Sequence, residues 1–385
     1  MIYMQITTTY APAYQYGGPI RMMDQYADFQ QKRGKKVIVL TSDIGSSSDC
    51  GYNPDFEVVR APILKFRILG RQILIPKLKF LKSFFQIVDA QYSNEKIYLH
   101  ICELRGILPV LAAISKMRNG RRVTLIHSAF GMLHEKNSVL RYFYDLIFMK
   151  FFLRSIDIAL YQTESERSLY LKYFKKHKLK YDDKKLIELP LLSKEPPATI
   201  GSSHSIIKLI FLGRFAKSKG IIEMVSMLRR VSDTLKLRLH LTIAGADYDL
   251  GADILKIFDY SGEFLRISLI SNIDGVNRFN IYRENDIFIG MPLVQEETMT
   301  ASIEALACGC ACIVTKRNLI PKLTKYKAGV IVNGKDVDEF CEKFLKITRQ
   351  LESAQQNATL LYQNEFSLDV IDGKFEKIFV NECTQ

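Results

Sequence analysis

Glu296 and Glu304 lie eight residues apart in the stretch EETMTASIEALACGCACIVT, residues 296–315. The pattern puts Glu296 at the end of a loop. It puts Glu304 inside a helix that closes on Gly309 and runs into a β-branched strand. An acid at the mouth of a helix and another two turns in can hold two ends of one polar ligand. Thr298 or Thr300 can cap that helix, and free backbone N–H groups at its start suit a diphosphate. Against this stands a plainer account, with Glu304 an ordinary helix residue and Glu296 an acid favoured by the helix dipole.

A second stretch, KLIFLGRFAKSKGIIEMV, lies about 80 residues upstream. A buried strand ends at Gly213, Arg214 and Lys219 follow, and Gly220 precedes a helix. Glycine at a strand end lets a ligand approach the backbone. A guanidinium and an ammonium five residues apart can clamp two phosphates, although the same residues would also make a solvated basic loop.

The elements that must position these residues alternate along the whole chain. Strands are expected near 2–7, 36–41, 56–60, 97–101, 122–127, 156–162 and 186–190. Helices are expected near 19–33, 77–88, 104–118, 138–154 and 164–177. Residues 193–205 (SKEPPATIGSSHS) read as a linker. Beyond it the strands are 206–212, 237–244, 264–270, 285–290 and 310–315, and the helices 218–231, 250–260, 276–284, 300–308, 335–351 and 355–364. The 385 residues exceed one compact core. The expectation is an α/β chain with two doubly wound parallel sheets facing a central cleft, ligands binding beyond the carboxyl ends of the strands.

The net charge is +13, and all of the excess lies in the first half. Residues 1–192 hold 30 Lys+Arg and 17 Asp+Glu; residues 193–385 hold 24 of each. The first half should therefore meet an anionic partner. Residues 65–82 carry six basic side chains and no acid. From Lys77 on, Leu78, Leu81, Phe84, Phe85 and Val88 recur at helical spacing beside Lys77, Lys79 and Lys82, which suits an anionic membrane surface. A core helix with snorkelling lysines would read the same way. Segment 141–154 is apolar nearly all round and is expected to be mostly buried. No nucleic-acid motif is present. The start, IYMQIT, reads as a strand without a basic leader, no stretch is long and apolar enough to span a membrane, and the seven cysteines lack disulfide-like spacing. A cytoplasmic protein is expected. Cys308, Cys310 and Cys312 are expected to be buried thiols, not metal ligands.

The two stretches together resemble glycosyltransferase family 4, nucleotide-sugar-dependent enzymes of the GT-B architecture with two Rossmann-like domains. The family's G-R-x4-K-G appears as Gly213 to Gly220, and its E-x7-E followed by A-x-A-C-G as Glu296…Glu304 to Gly309. The resemblance covers essentially the whole chain and implies four segments. These are an acceptor-binding domain 1–192, a linker 193–205, a donor domain 206–365, and a segment 366–385 packing back on the first domain.

It also implies roles. Arg214 and Lys219 would bind the donor diphosphate, Glu304 the ribose hydroxyls, and Glu296 the transferred sugar, with backbone amides near Met299 and Thr300 on the phosphates. Gly18, or Gly17, would let the donor phosphate and acceptor come close, as Gly213 does in the second half. His127 would hydrogen-bond the donor sugar or help handle the acceptor proton, whereas His100 is expected to be structural. The implied enzyme is a retaining hexosyltransferase that needs neither metal nor cofactor. Its acceptor would be a glycan or lipid-linked glycan on the inner face of the plasma membrane, in surface polysaccharide (lipopolysaccharide or capsule) or glycolipid assembly. Oligomeric state is not implied. A catalytically inactive glycosyltransferase-like subunit and a peripheral membrane-binding protein remain as alternatives. Three departures bear on sugar and acceptor recognition: Met299 stands where the family commonly has glycine, ELPLLSKEPP replaces an Asn-Gly turn, and Ser128 follows His127 in place of Asp.

Overall fold

A computed structural model describes residues 1–14, 18–45, 52–68, 71–90, 95–130, 139–191, 206–271, 273 and 277–380. The chain divides into two compact units, Met1–Leu189 together with Val380, and Pro190–Phe379. The expected linker, 193–205, lies outside the described residues, as does Gly17.

The first unit is built on a seven-stranded sheet. Its strands are β1 (Ile2–Ile6), β2 (Lys36–Ser42), β3 (Glu57–Ala61), β6 (Ile97–Ile101), β7 (Val123–Ser128), β8 (Ile158–Tyr161) and β9 (Leu186–Glu188). Their order is β3-β2-β1-β6-β7-β8-β9, and every pairing is parallel. β1, β6 and β7 are buried along their whole length, which is why IYMQI, IYLHI and VTLIHS read as continuous apolar runs. The helices are α1 (Gly18–Lys32), α2 (Leu78–Phe85), α3 (Ile107–Asn119), α4 (Val139–Tyr144), α5 (Lys150–Ser155) and α6 (Glu164–Lys176). Thr163 caps α6 by accepting from the Glu166 N–H.

The second unit has a six-stranded parallel sheet of order β12-β11-β10-β13-β14-β15. The strands are β10 (Ile207–Leu212), β11 (Leu239–Gly245), β12 (Leu265–Ser271), β13 (Ile287–Gly290), β14 (Ala311–Thr315) and β15 (Gly329–Val332). α7 (Ile221–Leu235), α8 (Asn277–Arg283), α9 (Thr300–Ala307), α10 (Val337–Arg349), α11 (Leu351–Glu365) and α12 (Leu368–Val380) complete it. Of the terminal segment 366–385, α12 belongs to the second unit up to Phe379, and residues 381–385 lie outside the described ones. No helix among the described residues is long and apolar enough to cross a membrane.

Both expected parallel sheets are present, and four local expectations need correction. Within the basic stretch 65–82, β4 (Ile63–Ile68) and β5 (Arg71–Pro76) form an antiparallel hairpin. Basic side chains interrupt its apolar alternation, which hides the period of two. Residues 251–260 form a 3₁₀ stretch and not an α-helix. β15 is an additional strand, short enough to leave no periodic signal. Segment 141–154 is not mostly buried. Asp145, Met149, Phe152 and Leu153 face inward, while Tyr142, Phe143, Leu146 and Ile147 are each more than half exposed. Apolar residues all round a helix imply burial all round only where something packs on every face.

In each sheet the strand order reverses once, between β1 and β6 and between β10 and β13. Such switch points open a crevice beyond the carboxyl strand ends. At the second, Gly245 adopts φ +156, and a Cβ on it would come within 1.8 Å of the Gly213 carbonyl oxygen. Gly245→Ala is expected to destabilise the second unit by about 1–3 kcal/mol, since neither backbone can yield cheaply. A thermal melt with an unchanged midpoint would contradict this packing.

Candidate functional site

The loop after β10 and the loop after β13 flank the second switch point. Gly213 continues the β10 ladder, donating its N–H to the Ala244 carbonyl at 3.0 Å. Arg214 then lays its guanidinium over the Tyr248 ring, 4.5 Å from the centroid. The Phe215 carbonyl accepts from the amides of Tyr248, Asp249 and Leu250, and the Lys217 N–H donates to Asp249 Oδ1 at 2.7 Å. A single 3₁₀ turn, Lys217–Lys219, leads into α7 through Gly220 at φ +65. Glycine is required there twice over: the conformation is left-handed, and a Cβ would sit 2.4 Å from the Met291 carbonyl. The Leu293 N–H closes on the Ser218 carbonyl at 2.8 Å. The basic loop is thus pinned against the chain leaving β13.

That pinning brings two of the chemistry-bearing residues together. Lys219 Nζ lies 2.5 Å from Glu296 Oε2, across 77 residues of sequence. The pair is 12% and 22% exposed, so solvent reaches it only in part. Glu296 is fixed by its own backbone, whose N–H donates to the Arg317 carbonyl at 2.8 Å. Thr298 Oγ1 donates to the Leu319 carbonyl, and the Met299 N–H to Asn318 Oδ1. Thr298 is therefore a tether to residue 319 and not the helix cap.

Met299 precedes α9 at φ −71 and ψ 130, an ordinary extended conformation. The backbone here does not need the glycine that is usual in the resemblance. Met299 is buried and its amide is engaged, which leaves Thr300 as the first residue of α9.

Glu304 is little more than one helical turn into α9, about 6 Å from Thr300 along the axis, not two turns from its mouth. Its carboxylate is almost completely buried and already engaged. Arg278 contacts Oε1 at 3.0 Å, and the Tyr282 hydroxyl lies 3.3 Å from Oε2. Neither Arg278 nor Tyr282 stood out in the sequence. The available signal was their i, i+4 spacing on the expected helix 276–284, together with a buried acid that needs a cation.

Cys308, Cys310 and Cys312 are buried thiols, with Cys310 Sγ 3.1 Å from the Tyr282 carbonyl. Burial pushes the Cys308 thiol up to about 12 and raises the other two as well.

The first unit holds its residues differently. Gly18 is the first residue of α1. His127, near the end of β7, has no exposed surface. Its ring meets Phe152 and Tyr170 edge-on, and its Nδ1 lies 2.8 Å from the Tyr170 hydroxyl. Its Nε2 is buried without a hydrogen-bond partner. Burial lowers the His127 pKa to about 3, so the ring is neutral at any physiological pH. His100 is likewise buried, between the Tyr3 hydroxyl at 2.5 Å and Ser128 Oγ at 2.7 Å, in a structural role.

At the switch point between β1 and β6 stands Glu103, which the sequence did not single out. Its Oε1 accepts from the Thr8 amide at 2.6 Å, the Thr8 hydroxyl at 2.8 Å and the Thr7 hydroxyl at 3.2 Å. Its Oε2 is buried without a partner, and burial raises its pKa. Lys77, Lys79 and Lys82 are exposed around α2, whose Phe80 and Phe84 are core residues.

Comparison with known proteins adds a family match over part of the chain and a fold. Residues 207–350 match the family model described as glycosyl transferases group 1. No curated protein matches the chain. Among solved structures, the chain is similar to HepE from Anabaena in complex with UDP, at TM-score 0.68 and 10% identity, covering 99% of this chain and 100% of that one. It is also similar to sucrose-phosphate synthase from Thermosynechococcus elongatus, at TM-score 0.70 and 15% identity, with coverage of 100% and 99%. WaaG, a glycosyltransferase involved in lipopolysaccharide biosynthesis, matches at TM-score 0.64 and 13% identity, with coverage of 97% and 98%. At these identities the likeness is one of fold, the two-sheet GT-B architecture.

The Arg278–Glu304 contact has a direct consequence. Removing one partner of a buried ion pair leaves the other charge unpaired, which costs roughly 3–5 kcal/mol. Arg278→Ala is expected to destabilise the second unit by that order, and Arg278→Ala combined with Glu304→Gln by clearly less. Equal melting midpoints for wild type and Arg278→Ala would contradict the pairing.

Proposed function

We propose that this GT-B glycosyltransferase, whose residues 207–350 form a glycosyl transferases group 1 domain, is a retaining, metal-independent enzyme of family 4. It moves a sugar from a nucleotide-diphosphate sugar to a glycan or lipid-linked acceptor, in surface polysaccharide or glycolipid biosynthesis. The observation that carries this reading is the contact of Lys219 with Glu296 at the β10/β13 switch point. HepE binds UDP and WaaG acts in lipopolysaccharide biosynthesis, which supports a nucleoside diphosphate and a surface glycan here.

Arg214, Lys219 and the Thr300 end of α9 receive the donor diphosphate. They neutralise the charge that develops as it leaves, so the chain's own groups supply what a metal supplies elsewhere. Gly213 lets the phosphate approach the β10 backbone. Lys219 is held by Glu296. An arriving phosphate competes for the ammonium and frees the carboxylate for the sugar hydroxyls and the developing positive charge at C1. The Glu304 carboxylate, oriented by Arg278 and Tyr282, is assigned to the ribose hydroxyls.

Acceptor binding is assigned to the first unit, where Gly18 at the start of α1 lets the donor phosphate and acceptor come close; His127, expected to touch the sugar, has no exposed surface and supports the site through Tyr170. Burial keeps the His127 ring neutral and makes it a poor proton acceptor, and the acceptor proton is assigned to the departing diphosphate. The enzyme is placed in the cytoplasm, peripheral on the inner face of the plasma membrane, with Lys77, Lys79 and Lys82 toward anionic lipid.

Arg214→Ala and Lys219→Ala should each weaken nucleoside-diphosphate binding about ten- to hundredfold in calorimetry, the weight of one charge-assisted hydrogen bond. Unchanged affinity would remove the phosphate clamp. Glu296→Ala should abolish nucleotide release from the sugar nucleotide that binds best among UDP-, GDP-, ADP- and dTDP-sugars, while binding persists. Surviving turnover would show that Glu296 does not serve the moving sugar.

A further inference from the structure

The helical stretch from Val139 to Ser155 has two apolar faces, and the core uses one. Inward go Asp145, Met149, Phe152 and Leu153. Asp145 accepts from Arg105 at 2.8 and 3.0 Å, so the acid of this stretch is neutralised inside. Outward go Tyr142 (62% exposed), Phe143 (55%), Leu146 (66%) and Ile147 (62%). Scattered exposed apolar residues are ordinary on a protein surface, but four on two successive turns of one helix are not. Lys150 and Arg154 are exposed further along, and Arg141 is half-buried at the near end.

We infer that this outward face is the element that docks the protein on an anionic lipid bilayer, with Tyr142, Phe143, Leu146 and Ile147 entering the interface and Lys150 and Arg154 meeting lipid phosphates. This rests on the membrane-facing role proposed for the first unit and not on the donor site. Charge selects the occupant. The exposed charges of the helix are basic, its acid is turned inward, and the half of the chain that contains it carries the whole +13. A second copy in a two-fold contact would set the same basic groups against one another. An anionic bilayer complements them and takes up the apolar face at the headgroup boundary. The exposed lysines of α2 can add attraction, but the apolar side chains that would insert are on this helix.

The chain contains no tryptophan, so Phe143→Trp supplies a single fluorescent reporter on the face. With vesicles of 30% phosphatidylglycerol in phosphatidylcholine, its emission should shift to the blue and be quenched by brominated acyl chains. Pure phosphatidylcholine should give neither effect. Leu146→Glu with Ile147→Glu should lower cosedimentation with the anionic vesicles at least tenfold. Lys150→Gln with Arg154→Gln should remove the preference for the anionic ones. Nucleoside-diphosphate affinity should be unchanged in both variants, which separates failure here from failure of the donor reading. If the glutamates impair folding, the reporter alone decides. Emission that stays solvent-like with anionic vesicles overturns the inference. So does a wild-type dimer in light scattering that becomes monomeric in the glutamate variant, which would assign the face to a second copy.

Discussion

The contact between Lys219 and Glu296 is the constraint around which the second unit is arranged. It joins a loop that follows β10 to one that follows β13, strands that are neighbours in the sheet but far apart in sequence. Every local feature nearby serves to hold the two loops at that distance. Gly220 takes a left-handed turn under the Met291 carbonyl, Leu293 bonds back to Ser218, and residues 296–299 are tied to 317–319 through backbone, Thr298 and Asn318. A lysine and a carboxylate so fixed are a charge pair that an anion can open. The proposed function builds on that: in it the diphosphate takes the cation, and the carboxylate is released to the sugar.

The second buried acid shows a different use of the same chemistry. Glu304 sits where solvent barely reaches, and an unpaired carboxylate there would be costly. Arg278 and Tyr282, one turn apart on α8, meet that need and fix α8 against α9. The carboxylate is thereby oriented before any ligand arrives, which reduces what ordering costs on binding.

Much of this was legible in the residues. Continuous apolar runs such as IYMQI and KLIFL announce strands covered on both faces, and their alternation with helical periods announces parallel sheets. The glycine-arginine-lysine loop and the first of the two spaced glutamates marked the loops that meet at the β10/β13 switch point. What the sequence withheld is partnership and direction. Glu304 reads as an acid, but nothing in its neighbourhood names Arg278 as its partner. The all-round apolar pattern of 141–154 cannot say which face lacks a neighbour, and the lysines and arginines of 65–76 obscure a hairpin. Glu103 gave no signal because its importance lies in Thr7 and Thr8, which are almost a hundred residues away in the chain. Met299 is the reverse case. It looked like a departure from pattern, and the backbone conformation it adopts is one that any residue can take.

The central claim is that a nucleoside diphosphate and Glu296 compete for the ammonium of Lys219. Calorimetric titration of the best-binding nucleoside diphosphate, without sugar, into wild type, Glu296→Gln, Lys219→Met and the double variant tests it most directly. Competition predicts that Glu296→Gln binds more tightly than wild type, and that this gain vanishes when Lys219 is methionine. If Glu296→Gln binds no tighter than wild type, or if its gain persists in the Lys219→Met background, the pair is a structural bridge and the account of the site fails.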